Sequence, residues 1–239
     1  MRIRPVGAHA LLIDCADADQ VQAWWAELWR RREHGELTAV EIVPAATTVL
    51  LDGLPDPVET AARIAAWTPG PPTPTPTGEK ATVPGQGTVT GQAVAAGGAA
   101  AGGTGGGEDV PAVGGTVEVP VTFDGADLPV VASHWGVDVP TVVDRLGRTP
   151  FQVAFCGFAP GFAYLTGLPA ELAVPRLPSP RPRVPAGSVA LAGPYAGIYP
   201  AASPGGWLLV GHTDLVLFDV RADPPARLAP GTRVRLVPA

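Results

Sequence analysis

Between Cys156 and Gly206 the chain carries only four charged residues, Glu171, Arg176, Arg181 and Arg183, so a protein of net charge −6 contains a locally positive stretch. The three arginines sit in the proline-stiffened run PRLPSPRPRVP. Guanidinium forks held on a rigid backbone are suited to a carboxylate or phosphate. The same spacing equally fits pairing with Glu171 or capping of backbone carbonyls. Two further stretches have comparable rigidity. GFAPGFAYL sets Phe158, Phe162 and Tyr164 around a Pro160-Gly161 turn, and YPAASPGGWLLVGHT gathers Tyr199, Ser203, Gly205, Gly206, Trp207, His212 and Thr213. Both read as pocket walls. Pro-Gly turns let backbone approach a ligand closely and leave amides free to hold an oxyanion, although a plain structural turn has the same composition.

Nucleophilic chemistry needs an activated group with a base in hydrogen-bond reach. The serine candidates are Ser188 and Ser203, neither within a GxSxG elbow, and His212 is the histidine nearest to them in sequence. His9, His34 and His134 are scattered and give no metal-ligand spacing, so no metal site is expected. Cys156, in an apolar run, reads as a small buried hydrophobe rather than a reactive thiol. No GxxxxGK[ST] loop occurs, and GQGTVTG at 85–91 has neither a hydrophobic strand before it nor an amphipathic helix after it.

The elements that must position these groups follow from the pattern. With 30 Gly and 29 Pro in 239 residues, a helical bundle is excluded, while 46% hydrophobic residues suffice for a real core. Sixteen Lys plus Arg against 22 Asp plus Glu lacks the footprint of a nucleic-acid binder. Two cysteines point to a reducing compartment, and no window reaches the ~20 apolar residues of a membrane helix, so a soluble cytoplasmic protein is expected. Residues 69–115 hold 14 Gly and 7 Pro in 47 positions with no aromatic, Leu, Ile or Met, and read as a disordered linker.

Residues 1–68 read as a small α+β domain in the order β-α-β-β-α. HALLIDC, TAVEIVP and TTVLLDG are strand-length runs, and Val21, Trp24, Trp25, Leu28 and Trp29 repeat at helical spacing. Asp17 or Asp19 caps that helix, and a second one runs from Pro57 to Trp67 after Asp56. The three tryptophans read as core. Residues 116–239 read as a mainly-β domain, with TVEVPVTF, FQVAFCGF, SVALAG, WLLVGHT, LVLFDV and RVRLVP as short strands and one helix near 140–147.

Three blocks, GFAPGFAYLTGLP, PRLPSPRPRVPAGSVALAG and YPAASPGGWLLVGHT, lie in order over 155–213 and resemble the bacterial family of 5-oxoprolinase B subunits. That family is also called allophanate hydrolase subunit 1 or the sporulation-kinase inhibitor family. PVGAHALLIDC and EIVPAATTVLLD are similar to its N-terminal part. The resemblance implies an α+β N-terminal domain joined to a cyclophilin-like β-barrel. It also implies action with a homologous C subunit and a third 5-oxoprolinase component in ATP-dependent opening of 5-oxo-L-proline to L-glutamate. ATP, with magnesium, would bind here or in a partner.

Carried over by motif, Phe158, Pro160, Gly161, Phe162 and Tyr164 belong to the first block. Arg176, Arg181, Arg183, Pro185, Gly187 and Ser188 belong to the second, and Tyr199, Ser203, Pro204, Gly205, Gly206, Trp207 and Thr213 to the third. The implied roles are an Arg set gripping a small anionic substrate, turn amides holding an oxyanion and aromatics excluding water. Allophanate hydrolysis and inhibition of a histidine kinase are the alternative activities. The chain departs from the family at Gly7-Ala8-His9, where an acidic residue is usual, and at Leu146, near where a His is frequent.

Overall fold

A computed structural model describes residues 1–70 and 115–239, so almost all of the segment read as a linker lies outside the described residues. The first part contains β1 (Arg2–Val6), β2 (Ala10–Asp14), α1 (Ala18–Glu33), β3 (Glu41–Pro44), β4 (Thr48–Asp52) and α2 (Pro57–Ala65). Its four strands form one antiparallel sheet in the order β1-β2-β4-β3. β1 is an addition to the sequence reading. Arg2 and Arg4 alternate with Ile3, and Pro5 interrupts the run, a composition tolerated because β1 is an edge strand.

Helix α1 starts where Asp17 accepts a hydrogen bond from the Gln20 amide at 2.8 Å, which settles the choice of cap. Arg30, Arg31 and Arg32 occupy its last turn, where the helix dipole favours positive charge. Val21, Trp24 and Leu28 are buried with Ile42, Val49 and Leu51 of the sheet, and truncating Leu28 to Ala would cost about 3 kcal/mol. Trp25 and Trp29 pack at the margin of that core. The two parts of the chain touch through Gln22, whose Nε2 donates to the Ala154 carbonyl at 2.8 Å.

The second part contains β5 (Thr116–Val121), α3 (Leu128–Trp135), α4 (Val139–Arg148), β6 (Phe151–Cys156), β7 (Ala163–Thr166), β8 (Arg181–Val184), β9 (Ser188–Ala192), β10 (Tyr195–Ile198), β11 (Ser203–Gly205), β12 (Leu208–His212) and β13 (Arg233–Pro238). Seven strands form a mixed sheet in the order β12-β9-β10-β7-β6-β13-β5. Only the β13–β5 pair is parallel. The two edges meet at Thr122 and His212, whose amides each donate to the other's carbonyl at 2.9 Å, and this bridge closes the sheet into a barrel. β8 and β11 pair separately as a two-stranded ribbon.

Alternate residues of β9 serve two cores, as strand periodicity requires. Val189 and Leu191 enter the main core with Val119, Val153, Leu165, Val210 and Leu236. Ala190 and Ala192 enter a smaller one with Phe162, Val184, Tyr199 and Trp207.

Two expectations are corrected here. Between β5 and β6 there are two helices rather than one: LPVVASHW forms α3, entered through Pro129 in its first turn and ended by Gly136 at φ +65°. LVLFDV is not a strand. Leu217 points inward, but Phe218 makes only an isolated bridge to Ala226, because Asp219 turns the chain, its carbonyl accepting the Ala222 amide at 3.0 Å.

Candidate functional site

Asp127 organises the region around the second motif. It stands at the start of α3, where its carboxylate would ordinarily cap the helix, but its side chain makes no capping bond. It instead receives Arg181 Nη2 at 2.7 and 2.8 Å on its two oxygens, and Oδ2 also accepts the Leu209 amide at 2.7 Å. Arg181 Nη1 donates in addition to the Trp207 carbonyl at 3.2 Å. The expectation that Arg181 is a ligand-gripping fork meets a guanidinium whose Nη1 and Nη2 already serve the protein. The pairing expected from spacing, with Glu171, is replaced by one with Asp127, 54 positions away. Arg176 and Arg183 are exposed and form no hydrogen bond or ion pair among the described residues. Burial, followed by the nearby Tyr164, holds the Tyr199 phenol above its ordinary range, while the charges of Arg176 and Arg181 pull it down.

The motif aromatics converge, though not as an open pocket. Phe162, Tyr199 and Trp207 are buried, with Phe162 edge-on to Tyr199 at 5.2 Å and to Trp207 at 5.5 Å. Tyr164 lies 5.5 Å from Trp207 and is partly accessible, whereas Phe158 is exposed. The cluster is a solid block beneath the β8–β11 ribbon, and this places the pocket-wall reading only at its rim. Within the GFAPGF turn, the amides of Gly157, Ala159 and Phe162 bond to turn carbonyls, which leaves those of Phe158 and Gly161 without an acceptor among the described residues. These two are the turn donors available to an oxyanion.

The serine and histidine candidates divide. Ser188 on β9 and His212 on β12 are direct cross-strand partners, so their side chains share one face of the sheet. His212 Nδ1 lies 2.9 Å from Asp124 Oδ1, a contact that orients the ring and leaves Nε2 for proton transfer. Asp124, His212 and Ser188 thus form an acid, an imidazole and a hydroxyl in order, with no hydrogen bond between Ser188 and His212 among the described residues. Ser188 is buried, and its carbonyl accepts the Tyr199 amide at 2.9 Å, which links this set to the aromatic block. Ser203 is on β11 opposite Val184, its Oγ buried without a hydrogen-bond partner.

His212, Thr213, Asp214, Leu215, Thr122 and Pro120 line a cleft of about 140 Å³ at the barrel seam. Thr213 is buried and its Oγ1 accepts the Leu215 amide at 3.2 Å. Gly187 must be glycine: its φ is +79°, and a Cβ there would stand 2.1 Å from the Thr213 carbonyl oxygen. Gly205 ends β11, and the Gly206 carbonyl accepts the Leu177 amide at 2.7 Å, tying the third motif to the second.

Asp124 and Asp127 were not read from the sequence. They lie 88 and 54 positions from their partners, and the only local signal, an Asp before Leu-Pro, points to a helix cap. Of the departures from the family pattern, Leu146 is fully buried in α4 and belongs to the core. His9 sits in the β1–β2 turn, with Nδ1 3.3 Å from the Leu54 carbonyl. Cys156 is held inert: burial pushes its thiol up to about 11, and Sγ donates to the Leu228 carbonyl at 3.3 Å.

Comparison with known proteins places these features in a family. The model for "carboxyltransferase domain, subdomain C and D" matches residues 93–228. The B subunit of 5-oxoprolinase from Escherichia coli O157:H7 is 50% identical over 125 residues, 51% of this chain and 57% of the relative. The protein of the same name from Bacillus subtilis (strain 168) is 43% identical over 124 residues, 51% of this chain and 52% of the relative. The chain therefore spans little more than half the length of the curated relatives it matches. Among solved structures, TTHA0988 superposes with a TM-score of 0.66 at 27% identity, over 100% of this chain and 40% of that one. The chain belongs to the carboxyltransferase domain, subdomain C and D, family, and the resemblance to 5-oxoprolinase B subunits carried by its three motifs is matched by relatives of that name.

Proposed function

We propose that this chain is one component of an ATP-dependent 5-oxoprolinase, which opens 5-oxo-L-proline to L-glutamate together with a homologous C subunit and a third component. The observation that carries the reading is the identity of 50% and 43% to two proteins named as the B subunit of 5-oxoprolinase. The geometry adds a means of moving protons. Opening the lactam requires water to add to the carbonyl carbon, the C–N bond to break and the departing nitrogen to gain a proton. His212, oriented by Asp124, takes the proton from water and returns it to the nitrogen. Arg176, which has no partner among the described residues, answers the substrate carboxylate beside Tyr199.

The chain has no phosphate-binding loop, and no group of three or more His, Cys, Asp or Glu among the described residues is placed to hold a metal ion. On this reading ATP, with magnesium, binds in a partner or at a site shared with one.

The test is reconstitution. The chain is co-expressed with its candidate partners, and glutamate formation from 5-oxo-L-proline is measured with and without ATP, omitting one component at a time. Activity that needs both ATP and this chain is expected. An assembled, folded complex that never forms glutamate overturns the reading and makes allophanate and a histidine kinase the next ligands to assay.

A further inference from the structure

The side chain of Phe158 is used by none of this chemistry, yet its backbone conformation is costly to maintain. Its φ of +69° makes it the only non-glycine residue with positive φ among the described residues. For a bulky side chain the left-handed region is strained, and such strain persists where function selects it. The turn is held by hydrogen bonds from Ala159 to the Gly157 carbonyl at 2.8 Å and from Gly157 to the Phe162 carbonyl at 3.1 Å. The ring stands edge-on against Phe162 at 5.4 Å and Tyr199 at 6.5 Å, propped on the buried aromatic block, and the residue is 64% exposed. It is a rigid aromatic presented to solvent.

A second loop extends the surface. Phe218 packs so closely on the same turn that a Cβ at Gly161 would lie 2.6 Å from the Phe218 Cβ. Val216 and Val220, two residues to either side of Phe218, are 64% and 80% exposed. Charged groups border them: exposed Asp214, and Asp219 paired with Arg221 at 3.0 Å. An apolar centre anchored by a preorganised aromatic and bordered by charge has the anatomy of a protein-protein interface. Neither the cleft at His212 nor a second one beside Phe151 and Arg233 includes Phe158.

The occupant is indicated by TTHA0988. This chain covers 40% of that protein, so most of its length is polypeptide additional to the unit described here. If the additional part is a separate chain, it must be held by a surface. We propose that the patch formed by Phe158, Val216, Phe218 and Val220 docks a partner chain equivalent to that additional polypeptide. This rests on the reading above of the chain as one component of a complex.

The test is titration calorimetry of the full chain with a separately purified partner homologous to the unmatched part of TTHA0988. Phe158→Asp is expected to weaken binding about 30-fold or more, the loss typical of a central aromatic anchor, and Val220→Asp to weaken it by a smaller factor. Phe158→Gly supplies the control for folding. Glycine adopts φ +69° without strain, so this variant is expected to unfold at the parent's temperature yet to lose the same binding. If the parent binds and Phe158→Gly binds equally well, the docking surface is elsewhere and the reading of the chain as one component of a complex stands. If the folded parent binds no such partner, both fall.

Discussion

The Asp127 carboxylate takes both short contacts of Arg181 Nη2, at 2.7 and 2.8 Å, while also accepting the Leu209 amide. One buried acid therefore fixes three segments: the start of α3, the β8–β11 ribbon through Arg181, and the first part of β12. The ribbon lies over the aromatic block, so this contact determines where the third motif sits relative to the second. Arg181 and Arg176 are consequently different in kind despite sharing one arginine-rich run.

That difference is measurable. Removing one partner of a buried pair leaves an uncompensated charge, and Arg181→Ala should cost about 3 kcal/mol in urea unfolding. Arg176→Ala should shift stability by no more than about 0.5 kcal/mol, because the side chain is exposed. The double variant Asp127→Leu/Arg181→Met should recover much of the loss. Equal stability of all the single variants would contradict the structural role of the pair.

His212 should matter to turnover and not to assembly. In the reconstituted complex, His212→Ala is expected to lower kcat about 100-fold or more, the usual range for loss of a positioned acid-base group. Asp124→Asn, which keeps the shape but not the charge facing Nδ1, should lower it by a smaller factor. Unchanged kcat in both variants would remove His212 from the chemistry.

Acid should loosen the packing of α1 through Glu27. Its hydrogen bond with Arg30, opposed in part by burial and reinforced by Arg31, holds the carboxyl below its ordinary value of 4.5. A carboxylate lowered in the folded state contributes stability above its unfolded pKa and loses it as pH falls toward the folded value. Unfolding free energy should thus decline below about pH 4.5, and Glu27→Gln should flatten that decline while lowering stability at pH 7. Parallel pH curves for the two proteins would show that Glu27 is not the group responsible.

Cys156 should resist alkylation. With its thiol pushed up to about 11, the thiolate is scarce at pH 8, so iodoacetamide labelling of the native chain, read by peptide mass spectrometry, should spare this residue. In urea it should label at the rate of a free cysteine. Fast native labelling would mean that the strand opens readily.

Local pattern carried much of the fold. Val21, Trp24 and Leu28 marked the buried face of α1, and the alternation in TVEVPV and RVRLVP marked β5 and β13. β7 and β10 went unread because AYLT and YAGI are short, and Gly197 carries no side chain to show the alternation. LVLFDV had the composition of a strand without a neighbour to pair with. The candidate site was legible as three stiff motifs, since rigidity is written locally in Pro and Gly. The carboxylates that pair with the motif residues, Asp124 with His212 and Asp127 with Arg181, come from a stretch whose local signal is a helix cap. Only the closure of the barrel brings them within reach.

β13 follows every other strand of its sheet in sequence, yet it lies inside the sheet, antiparallel to β6 on one side and parallel to β5 on the other. During synthesis, β5 emerges more than one hundred residues before its neighbour and must wait unpaired while everything between them is made. Contacts this distant in sequence are slow to form, and an unfilled strand position is open to pairing with another chain. The barrel is therefore completed only after translation has passed residue 238, and a ribosome that stops short of β13 releases a sheet with a gap where its seventh strand belongs.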